Sequence, residues 1–519
     1  MFWADEIAEQ VINAYPDATS YTCASGISPS GVVHMGNLRE VITSWFVVKA
    51  LRDKGKKVRF IFSWDSFDRL RKIPADADQS FTKYIGMPLD LAPSLDGVER
   101  SWARSFQQPF MDALKVLGVE VEHIFQSEQY LSGRYADKII LAVKKRKEIY
   151  DIISSFKTQD AVAEDREKYY PLNIYCDKCG KDTTTVTSDK DNTILSYECK
   201  CGYHGTLDLR TQHNAKLVWK VDWPMRWTVE GVNFEPGGKD HSTEGGSYQV
   251  ASVIVKKIFG GCAPVYRGYE WLGIKGLKGD MHSSKGGAIS PKMMLEVYSP
   301  EIILWLFTRN LPEKAFDLAF DDEVLRIYHE FDRMYDSVQS GEADDTVKRI
   351  IQMALSCTPN YKRCPVSAQT IASFAPIVNF DLDMLVTLLN KIGDKCTKEE
   401  IEGRFNKITT WLRKYSPESI ATLLKKPNLD YYNTLLNEEK EWIDSLVTSL
   451  KEKNFTTEEM QALLYEIPKL NGEQNKVRQK RFFEIVYNLL LGKDKGPRLY
   501  LFLMAIDKEE LIKLLTFGG

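Results

Sequence analysis

At 519 residues, 43% apolar and 27% charged, the chain has the composition of an ordinary soluble globular protein and exceeds the size of one core, so about three or four domains are expected. A formal net charge of −3 excludes a global electrostatic footprint for nucleic acid and leaves any such partner to a local patch. No apolar run approaches the roughly 18 to 20 residues of a membrane span, and nine cysteines are too sparse for a disulfide framework, so a cytoplasmic protein without membrane association is expected.

The first fifteen residues place Phe2, Ile7, Val11 and Ile12 among polar residues, an amphipathic helix stopped by Pro16. Tyr21 to Ala24 then reads as a strand, followed by a glycine-punctuated turn from Ala24 to Asn37. Leu38 to Lys54 carries Val41, Trp45, Val48 and Leu51 at helical spacing, and Val58 to Phe62 reads as a buried strand. Strand, turn, helix and strand make one βαβ unit, whose first turn lies at the carboxyl edge of the sheet, where open α/β folds bind ligands. Gly26 and Gly36 let a ligand approach the main chain, and His34 and Asn37, three residues apart on the entering helix, both offer donors to one phosphate.

Asp65 and Asp68 follow the second strand, ahead of a Pro- and Gly-rich loop around residues 85–93. A helix is expected from about Val98 to Leu117, ended by Gly118, then a strand from Val119 to Phe125 and a longer helix carrying Ile139, Ile140, Val143, Ile149 and Ile152. Cys176 and Cys179 form one close pair, and Cys199 and Cys201 form another nineteen intervening residues later. Four thiolates in two pairs, each followed by glycine, point to a closed structural zinc site, with His204 a substitute for one ligand. Lys216 to Trp227 holds three tryptophans and is followed by Gly237-Gly238-Lys239-Asp240-His241 and Arg267-Gly268-Tyr269-Glu270-Trp271, aromatic walls and flexible loops suited to a small-molecule pocket. Lys278 to Gly287 reads as a second anion-type loop, with Lys285 as its point charge. Beyond Pro300 helices dominate, among them one through Trp442, Leu446 and Leu450 and one announced by the capping pair Thr456 and Glu459. Gly496-Pro497 opens a final pair of apolar helical stretches ending near Leu515.

His34-Met35-Gly36-Asn37 resembles the HIGH signature of class I aminoacyl-tRNA synthetases, and Met281-His282-Ser283-Ser284-Lys285 resembles their KMSKS signature. With Gly26 to Gly31, Phe62-Ser63-Trp64-Asp65, Phe234 to Ser242 and Gly496-Pro497-Arg498-Leu499, the resemblance narrows to the class I lysyl-tRNA synthetases and runs from about Thr22 to Leu515. It implies a Rossmann-type parallel-sheet catalytic domain with a zinc-binding insertion, followed by an all-α anticodon-binding cage. The corresponding boundaries are 1–165 and 216–319 for the two catalytic halves, 166–215 for the insertion and 320–519 for the helical domain.

By the same resemblance, L-lysine is activated with ATP and Mg²⁺ to lysyl-adenylate and passed to the terminal adenosine of tRNA(Lys), usually at the 2′-hydroxyl. His34, Asn37 and Lys285 become the catalytic candidates, and Gly36, Ser283 and Ser284 join them around ATP. Gly26, Ser28, Trp219, Asp240, His241 and Tyr269 are the lysine contacts, with Trp223 an alternative to Trp219. Asp240, Asp65 and Glu270 are the carboxylates considered for the substrate ammonium, and Cys176, Cys179, Cys199 and Cys201 are the Zn²⁺ ligands. The two lysines of the second signature fall on Asp280 and Ser283 here, with Lys278 placed to compensate. A monomer is favoured. The alternatives are a nucleotidyltransferase without RNA, a synthetase for another amino acid, and a non-catalytic tRNA-binding relative.

Overall fold

A computed structural model describes residues 2–75, 77–157, 163–276 and 289–517. The chain divides into two compact units, Met1–Leu318 with Met334–Tyr361, and Ala319–Arg333 with Lys362–Gly519.

In the first unit, helix α1 (Trp3–Ala14) precedes strand β1 (Tyr21–Ile27), helix α2 (Met35–Asp53) and strand β2 (Val58–Trp64). Helix α3 (Trp102–Val116) and strand β3 (Glu122–Phe125) follow, then α4 (Gln126–Leu131), α5 (Ala136–Lys144), α6 (Arg146–Ser155) and α7 (Ala163–Lys168). After the cysteine-bearing module, α8 (Trp219–Glu230), β9 (Phe234–Gly238), α9 (Lys239–Ser242), α10 (Ser247–Lys257) and β10 (Val265–Tyr269) complete the sheet. All its pairings are parallel, in the order β10-β9-β1-β2-β3. The chain runs outward from β1 through β2 to β3 and returns to the other side of β1 as β9. The β1/β9 junction is therefore the switch point, and the crevice beyond their carboxyl ends is where such sheets bind ligands.

The module between the two halves opens with β4 (Leu172–Ile174) and closes with β8 (Ala215–Leu217), which pair antiparallel. Between them β5 (Thr184–Lys190), β6 (Ile194–Cys199) and β7 (His204–Asp208) form an antiparallel meander. Leu195, Tyr197 and Leu207 of the meander join one core with Tyr130, Tyr135 and Met225.

Three expected boundaries move. Helix α3 begins at Trp102 because Ser101 caps it, accepting from the Arg104 N–H at 3.2 Å, while Val98, 83% exposed, belongs to the loop before it. Strand β3 starts at Glu122, where pairing with Ile61 begins. The long helix through Ile139 and Ile152 is two helices, parted where Lys145 leaves helical backbone geometry at φ −98° and ψ 14°.

The second unit is helical throughout its core. The helix Asn437–Glu452 buries Trp442, Leu446 and Leu450, and Thr456 with Glu459 closes a reciprocal capping box on Thr457–Glu466. The closing pair of helices spans Leu499–Ala505 and Lys508–Leu515. Asp332 and Arg404, both buried, are joined by two hydrogen bonds of 2.6 and 2.7 Å. Among the described residues no helix is long and apolar enough to cross a membrane.

Candidate active site

Strand β1 ends against helix α2 through one carboxylate. The Gly26 N–H donates to Glu40 Oε1 at 2.9 Å, and the Tyr269 hydroxyl, from the end of β10, donates to Glu40 Oε2 at 2.7 Å. Glycine lets β1 lie close to β2 at position 26, where a Cβ would sit a tight 3.1 Å from the Ser63 carbonyl. His34 caps α2, and its N–H donates to Asn37 Oδ1 at 3.0 Å. Asn37 thus spends its oxygen on the helix start and keeps its amide NH₂ for a ligand. A Cβ at Gly36 would come within 2.9 Å of His34 Cε1, so the imidazole position depends on glycine there. His34, Gly36 and Asn37 form one wall of a cavity of about 410 Å³, and Lys239, His241 and Trp271 form much of the other. Lys239 is paired with Glu270 at 2.6 Å within this cavity, so the α2 N-terminus is what suits it to phosphates.

His241 also borders a narrower inner cleft, lined by Gly26, Glu40, Trp219, Trp223 and Glu235. Its wall is built by the four-residue spacing of Trp219, Trp223 and Trp227, which places all three on one face of α8. Trp219 stacks on Trp223 at 5.1 Å and 17°, Trp227 follows at 4.9 Å, and His241 lies 5.6 Å from Trp223. The Trp219 indole N–H is buried with no hydrogen-bond partner among the described residues.

The carboxylates around the cleft are not equivalent. Asp65 accepts from Arg226 at 2.7 Å, and Arg226 lies 3.3 Å from Asp222, which also meets Lys216 at 3.0 Å and the Tyr130 hydroxyl. Burial disfavours the Asp222 anion, but Arg226, Lys216 and Tyr130 outweigh it and hold the carboxyl below its ordinary range. Burial lifts Asp65 to about 6 against the pull of Arg226. Glu40 and Glu235 have no cationic ion-pair partner among the described residues. Among the described residues Glu235 accepts from the Trp227 indole at 2.6 Å. Burial pushes Glu40 up to about 8 despite its two hydrogen bonds, and Glu235 up to about 7. Glu40 also feels the negative charge of Glu235 and Asp65, while Arg226, which lines the same cleft, draws Glu235 down against the push of Asp65. A cation bound between tryptophan faces and these two groups would relieve both.

Of the residues singled out in the sequence, Gly26, Trp219 and His241 meet in the inner cleft, and His34, Gly36, Asn37, Asp240 and Tyr269 border the outer cavity. Ser28 lies apart from both, in a cavity on the β2 side of the turn. Asp240 is exposed, and Glu270 is held by Lys239 at 2.6 Å. Ser283, Ser284 and Lys285, with Lys278 and Asp280, lie outside the described residues. Sequence reasoning passed over Glu40, Glu235 and Arg226. The signals were available: Glu40 is the one acid in α2 before its final Asp53, and Glu235 is an acid inside a buried parallel strand.

In the inserted module, Cys176 and Cys179 sit on the turn after β4, and Cys199 and Cys201 on the β6–β7 turn. Their sulfurs all lie within 4.8 Å of one another, with Cys176 to Cys201 at 3.8 Å and Cys179 to Cys199 at 3.7 Å. A tetrahedral zinc with Zn–S of about 2.3 Å requires S–S edges of about 3.8 Å, so the four sulfurs fit that ion. Gly180 and Gly202 supply the left-handed turns, at φ +70° and +81°, and their N–H groups donate back to the Cys176 and Cys199 carbonyls.

A family described as tRNA synthetases class I (K) matches residues 1–356. A lysine–tRNA ligase of Borrelia garinii subsp. bavariensis is 36% identical over 521 residues, covering 98% of each chain. One from Pyrococcus horikoshii is 34% identical over 532 residues, covering 100% of this chain and 99% of its own. One from Streptomyces coelicolor is 34% identical over 566 residues, covering 99% of this chain and 97% of its own. With the parallel sheet, its switch-point crevice and the glycine-led α2 start, these full-length matches mean that the chain belongs to the class I tRNA synthetases of the lysine type.

Proposed function

We propose that the protein joins L-lysine to tRNA(Lys) at the expense of ATP, with the inner cleft holding the amino acid and the outer cavity the nucleotide. The observation that carries this reading is the pair of carboxylates without cationic ion-pair partners among the described residues, half-buried Glu40 and buried Glu235, facing a wall of tryptophan. Lysine keeps its side-chain ammonium at neutral pH and presents four methylenes, so it needs that combination of anion and apolar face. Asp65 and Glu270 already have cations at 2.7 and 2.6 Å, and Asp240 is exposed, which leaves Glu40 and Glu235 as the counter-ions of the substrate.

With the ammonium so placed, the lysine α-carboxylate reaches out past Gly26 towards the outer cavity. It attacks the α-phosphorus of ATP in line, the bond to the bridging oxygen breaks, and pyrophosphate leaves. The main task is positioning and neutralising charge on that phosphorus centre, the part suited to His34, the Asn37 amide and the backbone at the start of α2. Mg²⁺, if bound with ATP, would supply further positive charge on those phosphates. The 2′-hydroxyl of the terminal adenosine then attacks the activated carbonyl and AMP departs.

The same reading assigns the four cysteines to one structural Zn²⁺, which, ligated by four sulfurs, has no open position for chemistry. It assigns RNA selection to the helical unit. That unit holds a cavity of about 990 Å³ whose lining includes Arg326, His329, Arg363, Phe374, Arg498 and Tyr500. Aromatic faces beside guanidinium groups suit unstacked anticodon bases. Charging of a tRNA(Lys) transcript with labelled lysine tests the proposal. Lysyl-tRNA that forms only with ATP supports it, and lysyl-adenylate without any lysyl-tRNA would reduce the protein to a nucleotidyltransferase.

A further inference from the structure

The turn between β1 and α2 has a second face. On the β2 side, away from β9 and β10, a cavity of about 240 Å³ is lined by Ser28, Ser30 and Gly31 of the turn and by Arg69, Arg71 and Lys72 of the segment after β2. The acid at its edge, Asp68, meets Lys216 at 3.0 Å, a cation it shares with Asp222 at the same distance. Arg69 meets Asp182 at 3.3 Å through one guanidinium nitrogen, while its buried Nε has no hydrogen-bond partner among the described residues. Arg71 and Lys72 are exposed and have neither hydrogen bond nor ion pair among those residues. The cavity therefore presents two exposed cations without ion-pair partners among the described residues, Arg71 and Lys72, beside two serine hydroxyls, and even with Asp68 counted its lining is net positive.

Both walls are built. The Trp102 indole donates to the Ser30 carbonyl at 3.2 Å, and Trp102 packs in one small core with Leu70 and Leu89. Leu70 exchanges hydrogen bonds with Gly86 and Met87 at 2.9 and 2.7 Å, and the Gly86 carbonyl accepts from the Asp182 N–H at 2.9 Å. The cationic segment is thus clipped to the cysteine knuckle that bears Gly180 and Asp182.

The sheet order decides what this anion site serves. The nucleotide cavity lies on the β9 and β10 side of the turn, so its phosphates do not need these cations. Ser28 is two residues from Gly26, a reach of at most about 7 Å, so the second cavity opens beside the place where the activated carbonyl sits. The remaining anion that must reach that carbonyl is the single-stranded end of the RNA. We infer that Arg71 and Lys72, with Ser28 and Ser30, bind the phosphodiester backbone of the 3′-terminal strand of tRNA, entering on the opposite side of β1 from ATP. This rests on the ligase reading above. Backbone binding of this kind positions the strand without reading its sequence.

The test is the double substitution Arg71→Ala/Lys72→Ala, both exposed, with folding checked by the melting temperature. The KM for tRNA rises at least about tenfold, and the slope of log Kd against log salt for an acceptor-stem minihelix with its single-stranded 3′ end falls by about 1.4, at about 0.7 for each phosphate no longer neutralised. The KM values for ATP and lysine at saturating tRNA stay within about twofold, and Arg71→Lys/Lys72→Arg restores the slope. An unchanged tRNA KM and slope overturns the inference. So does a raised ATP KM with an unchanged slope, which would hand these cations to the nucleotide. The minihelix measurement needs no catalysis, so a wild-type protein that fails to charge tRNA refutes the ligase reading separately.

Discussion

Replacing Glu40 by Gln changes one charge and almost no volume. Gln retains an oxygen for the Gly26 N–H or the Tyr269 hydroxyl, which now donate at 2.9 and 2.7 Å, so the turn stays supported. What disappears is the attraction for the lysine ammonium. Two unit charges about 4 Å apart are worth about 4 kcal/mol at an effective dielectric constant of about 20. Glu235 remains and takes up part of that, leaving a loss of about 3 kcal/mol, or about two decades in affinity. The KM for lysine in tRNA-dependent ATP–pyrophosphate exchange is therefore expected to rise about 10²-fold, with the ATP KM little changed. The pH profile gives an independent reading. In the free protein Glu40 is lifted to about 8 and Glu235 to about 7, so both hold protons at pH 6. The ammonium needs them as anions, and lysine affinity rises as pH climbs from 6 to about 8.5, a rise that Glu40→Gln flattens. The same burial makes the unliganded fold lose stability as pH rises through Glu40, from its unfolded value near 4.5 to about 8, because the folded state holds the extra proton in that window. A change in lysine KM under threefold, or an unaltered pH profile, would refute the assignment of Glu40.

Gly36→Ala places a methyl where His34 Cε1 now sits 2.9 Å away, displacing the imidazole. We expect kcat to fall by about one to two decades with the lysine KM unchanged, read by single-turnover adenylate formation. The purified protein is expected to carry about one zinc per chain, absent from Cys176→Ser together with the order of the β5–β7 meander; elemental analysis and thermal melting check this, and a metal-free protein with full activity contradicts it. In the helical unit, Arg404→Met leaves the buried Asp332 carboxylate without its main partner and costs about 3 to 5 kcal/mol in denaturant unfolding. Arg404→Met/Asp332→Leu recovers most of that loss.

What could be read in the chain was local. The turn from Gly26 to Asn37 announces itself through glycines, a helix start and the strand before it, and the cysteine pairs through their spacing. The capping box at Thr456 and Glu459 is likewise a four-residue affair. The inner cleft is not local. Glu40 matters because β9 returns beside β1 and brings Glu235 and the tryptophan face of α8 to the same crevice. Asp65 is one of the three acids the sequence offers for the ammonium, yet Arg226, far along the chain, satisfies it at 2.7 Å. Only the fold shows which acid keeps its charge unspent. Boundaries shifted for similar reasons, as Ser101 rather than the apolar Val98 starts α3.

The central claim is that the cleft between Glu40, Glu235 and Trp219 selects lysine for activation. ATP–pyrophosphate exchange across a panel of the twenty amino acids, with tRNA present throughout, tests it most directly. Exchange with lysine at least about 10²-fold above arginine, glutamate and cysteine is the predicted result. Stronger exchange with glutamate, or exchange with none of the twenty, would contradict it.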